Sequence, residues 1–376
     1  MSLAPEKILP STATVNLGRL ATNLGTVRRL ARGRKIIAVV KANAYGHGSV
    51  AVAQALVMLG VEWLAVQMPE EALALRRAGV VAPILILGYT HAAYAADILH
   101  YNLTPTIFDY DLAVELDRLS SKPVNVHIKI DTGMGWAGIA QKDAINFITS
   151  VKKLNRINID GLFTHFACAD TDPEYTKMQG RSFISVVEQA KQIGVDPTIL
   201  HAANSAATVR HPEYHFDAVR PGIMLYGVPP CDGDLNLLPV LSWTSLICDM
   251  KVIHKGDSVG YGSTYTAQST RVIGTVPVGY ADGWRWNLKD GGFVLVSGRR
   301  VSIIGRICMD QFMIDLTDVA DAGVGDKATL VGDDGFESIT MPDLARICNT
   351  TPYELLTSIG GRTKFIYKLD EKETTL

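Results

Sequence analysis

The stretch Ile36-Ile37-Ala38-Val39-Val40-Lys41-Ala42-Asn43-Ala44-Tyr45-Gly46-His47-Gly48 decides how the chain is read. An apolar run ends abruptly at a lysine, small and polar residues follow, and Ser49 to Leu59 has helical spacing. A short continuous apolar run reads as a strand buried on both faces. A lysine at its carboxyl end stands where parallel barrels carry their reactive groups. The alternative is a lysine reaching solvent from a strand end over its own aliphatic stem.

The same unit recurs. Strand runs are Ala13 to Asn16, Ile36 to Lys41, Trp63 to Val66, Pro83 to Leu87, Leu103 to Ile107, Val124 to Ile130, Ile157 to Thr164, Thr198 to His201 and Phe216 to Arg220. Helical spacing falls over Leu20 to Ala31, Ser49 to Leu59, Glu70 to Ala78, Tyr110 to Leu119, Lys142 to Lys153 and Tyr175 to Ile193. About eight such units over roughly 230 residues favour a closed (β/α)8 barrel. The alternative, an open doubly wound sheet, lacks a Gly-x-Gly-x-x-Gly loop after the first strand. Val124 to Asp131 alternates strictly and puts Asn125, His127, Lys129 and Asp131 on one face, expected to point into the barrel. An edge strand with one wet side is the other reading.

Pro229-Pro230-Cys231-Asp232-Gly233-Asp234 reads as a linker. Beyond it Leu246 to Val252, Val272 to Val278, Gly292 to Val296, Arg300 to Ile304, Gln311 to Asp315 and Lys327 to Val331 follow one another without long helices, and Met341 to Cys348 reads as a late helix. The expected architecture is α/β: a (β/α)8 barrel over residues 12–240 and a mainly antiparallel β domain from residues 1–11 and 241–376.

The chain has 376 residues and a net charge of −2, which gives no reason to expect nucleic acid or an anionic membrane as partner. No apolar run approaches the ~18 residues of a membrane span, and Met1 to Pro10 lacks a signal-peptide pattern, so a cytoplasmic protein is expected. The five cysteines never form a Cys-x-x-Cys pair, and no metal site is expected.

Seven further strings accompany the lysine motif in order: Asp131-Thr132-Gly133-Met134-Gly135, Thr164-His165-Phe166-Ala167, His201 to Ala207, Val219-Arg220-Pro221-Gly222-Ile223, Gly262-Ser263-Thr264-Tyr265, Gly279-Tyr280-Ala281-Asp282-Gly283 and Gly305 to Gln311. Together they resemble the alanine racemase family along nearly the whole chain. The resemblance implies pyridoxal 5'-phosphate as cofactor, a small amino acid as substrate, a homodimer with shared active sites, and a role in D-alanine supply for peptidoglycan precursors. By resemblance Lys41 condenses with the cofactor aldehyde, which needs an amine whose pKa burial has lowered. Tyr45, Ser205, Gly222 and Ile223 match the phosphate cradle; Ser205 also reads as an N-cap of Ala206 to Arg210. Arg220 matches the residue facing the pyridine nitrogen, His165 its neighbour, and Asn204 lies in a cofactor-binding string. Two bases must flank Cα for racemisation. The resemblance makes Lys41 one, acting on the D-isomer, and Tyr265 of the partner subunit the other, acting on the L-isomer. Met309 and Asp310 match the position where a backbone N–H of the partner subunit meets the substrate carboxylate, and Tyr280, Arg306 and Asp170 match a narrow entrance.

The sequence departs from the family after Gly135. An arginine followed by Leu-Gly is usual there, whereas this chain has Trp136-Ala137-Gly138. Losing one charge-assisted hydrogen bond costs about 1.5 to 3 kcal/mol, roughly ten- to hundredfold in rate if it acts in the transition state. Lys129 matches a lysine that is carbamylated in many members, where the negative charge steadies that arginine; with Trp136 the reason weakens. Gly360-Gly361, before Arg362, stand where some members have a tyrosine near the phosphate. The expected function is a pyridoxal-phosphate-dependent alanine racemase. The alternatives are a racemase of broader specificity, serine included, and a cofactor-binding protein with weak or no activity.

Overall fold

A computed structural model describes residues 10–369. They pack as two units, one of Ala21–Leu237 and one of residues 10–20 with 238–369.

The first unit is a closed parallel barrel. Its strands are β1 (Lys35–Val39), β2 (Trp63–Val66), β3 (Ile84–Ile86), β4 (Thr104–Ile107), β5 (Val124–Asp131), β6 (Ile157–Phe163), β7 (Ile199–His201) and β8 (Ala218–Val219). Each pairs in parallel with the next, and β8 returns to β1 through Ala218 opposite Lys35, which closes the ring. A two-residue strand, Ile139–Ala140, adds to β5 outside the ring. Helices cover the outside because their apolar residues recur on one face: Val52, Ala53 and Leu56 of Ser49–Met58 are buried, as are Leu112, Ala113 and Leu116 of Tyr110–Leu119. Asp109 and Asp172 cap the helices that follow them, each carboxylate accepting a backbone N–H at 3.0 Å and 2.9 Å respectively. Among the described residues no helix is long and apolar enough to cross a membrane.

The polar face expected on β5 divides along its length. His127 and Lys129 are buried, but Asn125, near the amino end, is exposed and accepts a hydrogen bond from Asn158.

The first strand of the alternation is not in the barrel. Ser11–Asn16 pairs antiparallel with Leu241–Leu246 and parallel with Lys364–Lys368 in the sheet of the second unit. Ser11, Ala13 and Val15 are buried while Thr12, Thr14 and Asn16 are half-buried. That is the pattern of a sheet with one covered face, whereas β1 is buried at four successive residues. The boundary expected at residue 12 therefore sits against a packing break at 20/21; the far break, 237/238, follows the Pro229–Asp234 cluster. Residues 1–9 of the expected β domain lie outside the described residues.

The second unit is a ten-stranded, mostly antiparallel sheet. Its core stacks Trp284 on Phe312 and sets Trp243 edge-on to Trp284, both pairs at 5.6 Å. The Trp243 indole donates to Ser11 Oγ at 2.8 Å, fixing Ser11–Asn16 beside Leu241–Leu246. The run Leu246 to Val252 breaks into Leu241–Leu246 and Asp249–Ile253, because Ile247 and Cys248 turn their N–H groups to Asp326 and Thr275. Met341–Cys348 is a helix, and a second, Pro352–Ser358, follows it.

Candidate functional site

Lys41 begins a left-handed turn. Ala42, Asn43, Ala44 and Tyr45 have φ of 51°, 54°, 53° and 53°, a conformation costing L-residues roughly 1–2 kcal/mol each. Such strain persists only where the surroundings over-determine it. Here the Ala42 N–H donates to Glu71 Oε1 at 2.6 Å and the Ser49 N–H to Asn43 Oδ1 at 2.8 Å. His47 Nδ1 lies 2.8 Å from the Tyr45 carbonyl and 3.1 Å from that of Ala44. Two carbonyl acceptors require Nδ1 to carry the proton, and burial pushes the His47 pKa down to about 4, so the ring stays neutral. The turn buries Tyr45, whose ring stacks on Tyr226 at 4.8 Å.

Burial lowers the Lys41 pKa, the Glu71 carboxylate opposes the shift, and the Arg220 guanidinium adds to it. Glu71 was not read from the sequence as part of this site. Its place three residues into a Pro69-led helix is a recognisable capping pattern, but a capping carboxylate that also reaches another loop has no sequence signature.

Arg220 follows β8 and is buried. One terminal nitrogen donates to His201 Nδ1 at 2.7 Å. The other donates to the carbonyls of Thr164 at 2.8 Å and Ala202 at 2.9 Å and to His165 Nδ1 at 3.2 Å. Burial lowers the guanidinium pKa to about 9, so it remains charged near neutral pH. Burial and then that charge hold His165 and His201 well below the ordinary histidine value.

Tyr45, Ser205 and Gly222 come together. The Gly222 N–H donates to Ser205 Oγ at 2.9 Å, and a Cβ on Gly222 would collide with the Tyr45 hydroxyl. Ile223 starts the short turn that follows. The cap of Ser205–Arg210 is Asn204, one residue before the one expected. Asn204 Oδ1 accepts from Ala207 N at 3.0 Å and its amide donates to the Phe166 carbonyl at 3.3 Å.

Lys129 Nζ lies 4.8 Å from the Trp136 ring centre and 5.9 Å from that of Phe163. Burial, then Arg220 and Lys41, lower its pKa to about 8, with Asp131 opposing. Trp136 is 51% exposed, and its ring sits 5.5 Å from His165. The Asp131 carboxylate shapes the loop carrying Trp136 by accepting the N–H groups of Gly133, Met134 and Gly135. Asp170 is exposed, and its carbonyl accepts from Arg210.

The remaining candidates lie in the second unit. Tyr265 starts a two-residue strand paired with Ser258–Val259 and packs on Val259, Ile273, Ile304 and Met313. Arg306 runs beside Gly262, where a Cβ would stand 3.2 Å from its guanidinium. Tyr280 and Ala281 donate their N–H groups to the carbonyls of Cys308 and Met309, both at 3.1 Å. Arg362 grips Asp282 with two bonds of 2.9 Å and Asp310 with one of 2.6 Å. That clamp was not anticipated, because its members are far apart in the chain. Gly361 has φ of 60°, and a Cβ there would stand 2.8 Å from the Ala281 carbonyl.

Two family models match the chain: alanine racemase, N-terminal domain, over residues 15–230, and alanine racemase, C-terminal domain, over residues 240–367. The alanine racemase of Halothermothrix orenii is 41% identical, with 96% of this chain and 97% of the relative covered. That of Carboxydothermus hydrogenoformans is 42% identical, covering 95% and 99%. Among solved structures, alanine racemase from Bacillus anthracis with bound L-Ala-P has a TM-score of 0.91 at 36% identity, covering 98% of this chain and 97% of that one.

Proposed function

We propose that this chain, which belongs to the alanine racemase family, is an isomerase that interconverts L- and D-alanine with pyridoxal 5'-phosphate, using Lys41 and Tyr265 as bases on opposite faces of Cα. The observation that carries the reading is Lys41 itself: an amine at a barrel strand end, depressed in pKa by burial and close enough to feel the Arg220 charge.

The residues present suit the cofactor. Gly222, having no side chain, lets the Tyr45 hydroxyl and Ser205 Oγ come against its backbone, and two hydroxyls beside a backbone N–H at the start of a turn are the kinds of group a phosphate asks for. Arg220 would face the ring nitrogen and Lys41 the aldehyde carbon. Bound there, pyridoxal phosphate supplies an electron sink for the Cα–H bond.

Arg220 donates and does not accept a proton near neutral pH, which keeps that sink weak and favours return of the proton to Cα. His165 accepts from Arg220 and stands between it and Trp136. Lys41 removes or delivers the proton on one face. Tyr265 of a second copy of the chain does so on the other, in a homodimer in which a backbone N–H at Met309–Asp310 meets the substrate carboxylate. Tyr280, Arg306 and Asp170 narrow the way in.

A second reading, a racemase of broader specificity, is favoured by the half-exposed Trp136. Chiral chromatography of L-alanine and L-serine incubated with the purified, cofactor-supplemented protein decides. D-alanine as the main product supports the first reading, comparable D-serine the second, and no turnover of either overturns both.

A further inference from the structure

Behind Arg220 lies a chain of buried groups that the reaction above does not use. Arg220 donates to His201 Nδ1 at 2.7 Å, and His201 Nε2 lies 2.8 Å from His127 Nδ1. A guanidinium can only donate. His201 Nδ1 therefore holds a lone pair, and a neutral His201 must carry its proton on Nε2. That proton points at His127, so His127 Nδ1 is an acceptor in turn, and the neutral ring carries its proton on Nε2. No member can take a further proton without breaking a bond, since each lone pair in the chain is already occupied by a donor.

The barrel is shaped to hold these rings. Residue 161 of β6, opposite His127 in the strand pairing, is glycine, and a Cβ there would overlap the His127 imidazole. The register between β5 and β6 shifts between Val126 and His127. The His201 ring stacks on Phe163 at 4.6 Å, and Trp63 flanks His127 at 5.6 Å. Burial, reinforced by Arg220, lowers the His127 pKa to about 3, in keeping with a neutral ring.

We propose that Arg220, His201 and His127 form a positioning relay, uncharged beyond the guanidinium, that fixes the direction of Arg220 and makes His127 a positioning residue one ring removed from the site. The tautomers rest on this geometry alone, and the catalytic consequence rests on the racemase reading.

The two parts are tested separately. Long-range ¹H–¹⁵N correlation of the full chain, labelled with ¹⁵N-histidine and free of cofactor, should show His201 and His127 both protonated on Nε2. An Nδ1 proton on either overturns the relay. In the loaded enzyme His127→Leu removes the acceptor for His201, whereas His127→Asn keeps a side-chain oxygen. Loss of one positioning bond should lower kcat for alanine about tenfold in His127→Leu, with KM little changed, and His127→Asn should recover most of it. Gly161→Ala, which pushes on the same ring by another route, should match His127→Leu in kcat and disturb the His201 nitrogen shifts. Equal kcat in the Leu and Asn variants, or a change confined to KM, overturns the positioning role. If the parent enzyme does not turn over alanine, the racemase reading fails, while the nitrogen shifts still decide the relay.

Discussion

Glu71 Oε1 accepts the backbone N–H of Ala42, the residue after Lys41, while Oε2 of the same carboxylate accepts the N–H groups of Gln67 and Met68. One side chain thus starts its own helix and anchors the left-handed turn that follows Lys41.

Glu71→Gln tests that coupling. An amide has one acceptor oxygen for three N–H groups, so at least one donor loses its partner, and stability should fall by about 1–3 kcal/mol in a chemical denaturation curve. The Glu71 charge raises the Lys41 pKa against burial. Removing it should lower that pKa further, so the neutral amine persists to lower pH. In the cofactor-free protein, reductive methylation of Lys41 followed against pH should show its midpoint moving to lower pH in the variant. A midpoint moving upward contradicts the assigned electrostatics.

If Tyr265 reaches the site of a second copy, two inactive variants should rescue each other. Lys41→Ala and Tyr265→Ala homodimers should each be inactive as racemases, and dissociating and reassociating them together should yield mixed dimers with one intact site. About a quarter of parental activity is the ceiling for a random mixture in which half the dimers are mixed and each holds one of two sites. In deuterium oxide, Tyr265→Ala should still exchange the α-proton of D-alanine and not that of L-alanine. Exchange of both isomers would remove Tyr265 from the chemistry.

The barrel was legible because its strands, buried on both faces, read as continuous apolar runs: Ile36 to Val40 needs no partner to be recognised. Ser11–Asn16 precedes a helix in the same rhythm, yet belongs to the other sheet, since its pairing with Lys364–Lys368 is a long-range fact that periodicity does not carry. Lys41 and Arg220 stood out in the sequence through the motif strings that carry them, and the structure brings them close enough for the guanidinium charge to act on the amine. The site was not legible where function comes from a second contact: Glu71 reads as a helix start, and His127 as an inward-facing polar residue. The four left-handed residues after Lys41 could not be read at all, for none is glycine.

The clamp of Arg362 on Asp282 and Asp310 predicts a stability effect with a local readout. Asp282 is buried, and its carboxylate also accepts the Gly279 N–H at 2.9 Å. Removing Arg362 leaves that charge with a single neutral donor. Because the Arg362 side chain is 56% exposed, solvent tempers the loss, and Arg362→Ala should lower the midpoint of a chemical denaturation curve without abolishing folding. Asp282→Asn in the same chain should restore part of the loss, since the stranded charge is then gone. A double variant less stable than Arg362→Ala would contradict this account.

Trp136→Arg is the substitution with the clearest sign. Lys129 Nζ now lies 4.8 Å from the Trp136 ring centre, with its pKa already near 8. A guanidinium at position 136 would lower that pKa further, leaving more neutral amine at pH 7.5 to combine with carbon dioxide. The resulting carbamate would be held by the new arginine. The variant should therefore gain bicarbonate-dependent activity, with kcat rising roughly tenfold through one added charge-assisted donor in the site. Intact-mass measurement in bicarbonate should show one bound carbon dioxide in the variant. Lys129→Met placed in the Trp136→Arg background should abolish both the added mass and the bicarbonate dependence. Persistence of either would mean that the gain, if seen, arises at another lysine.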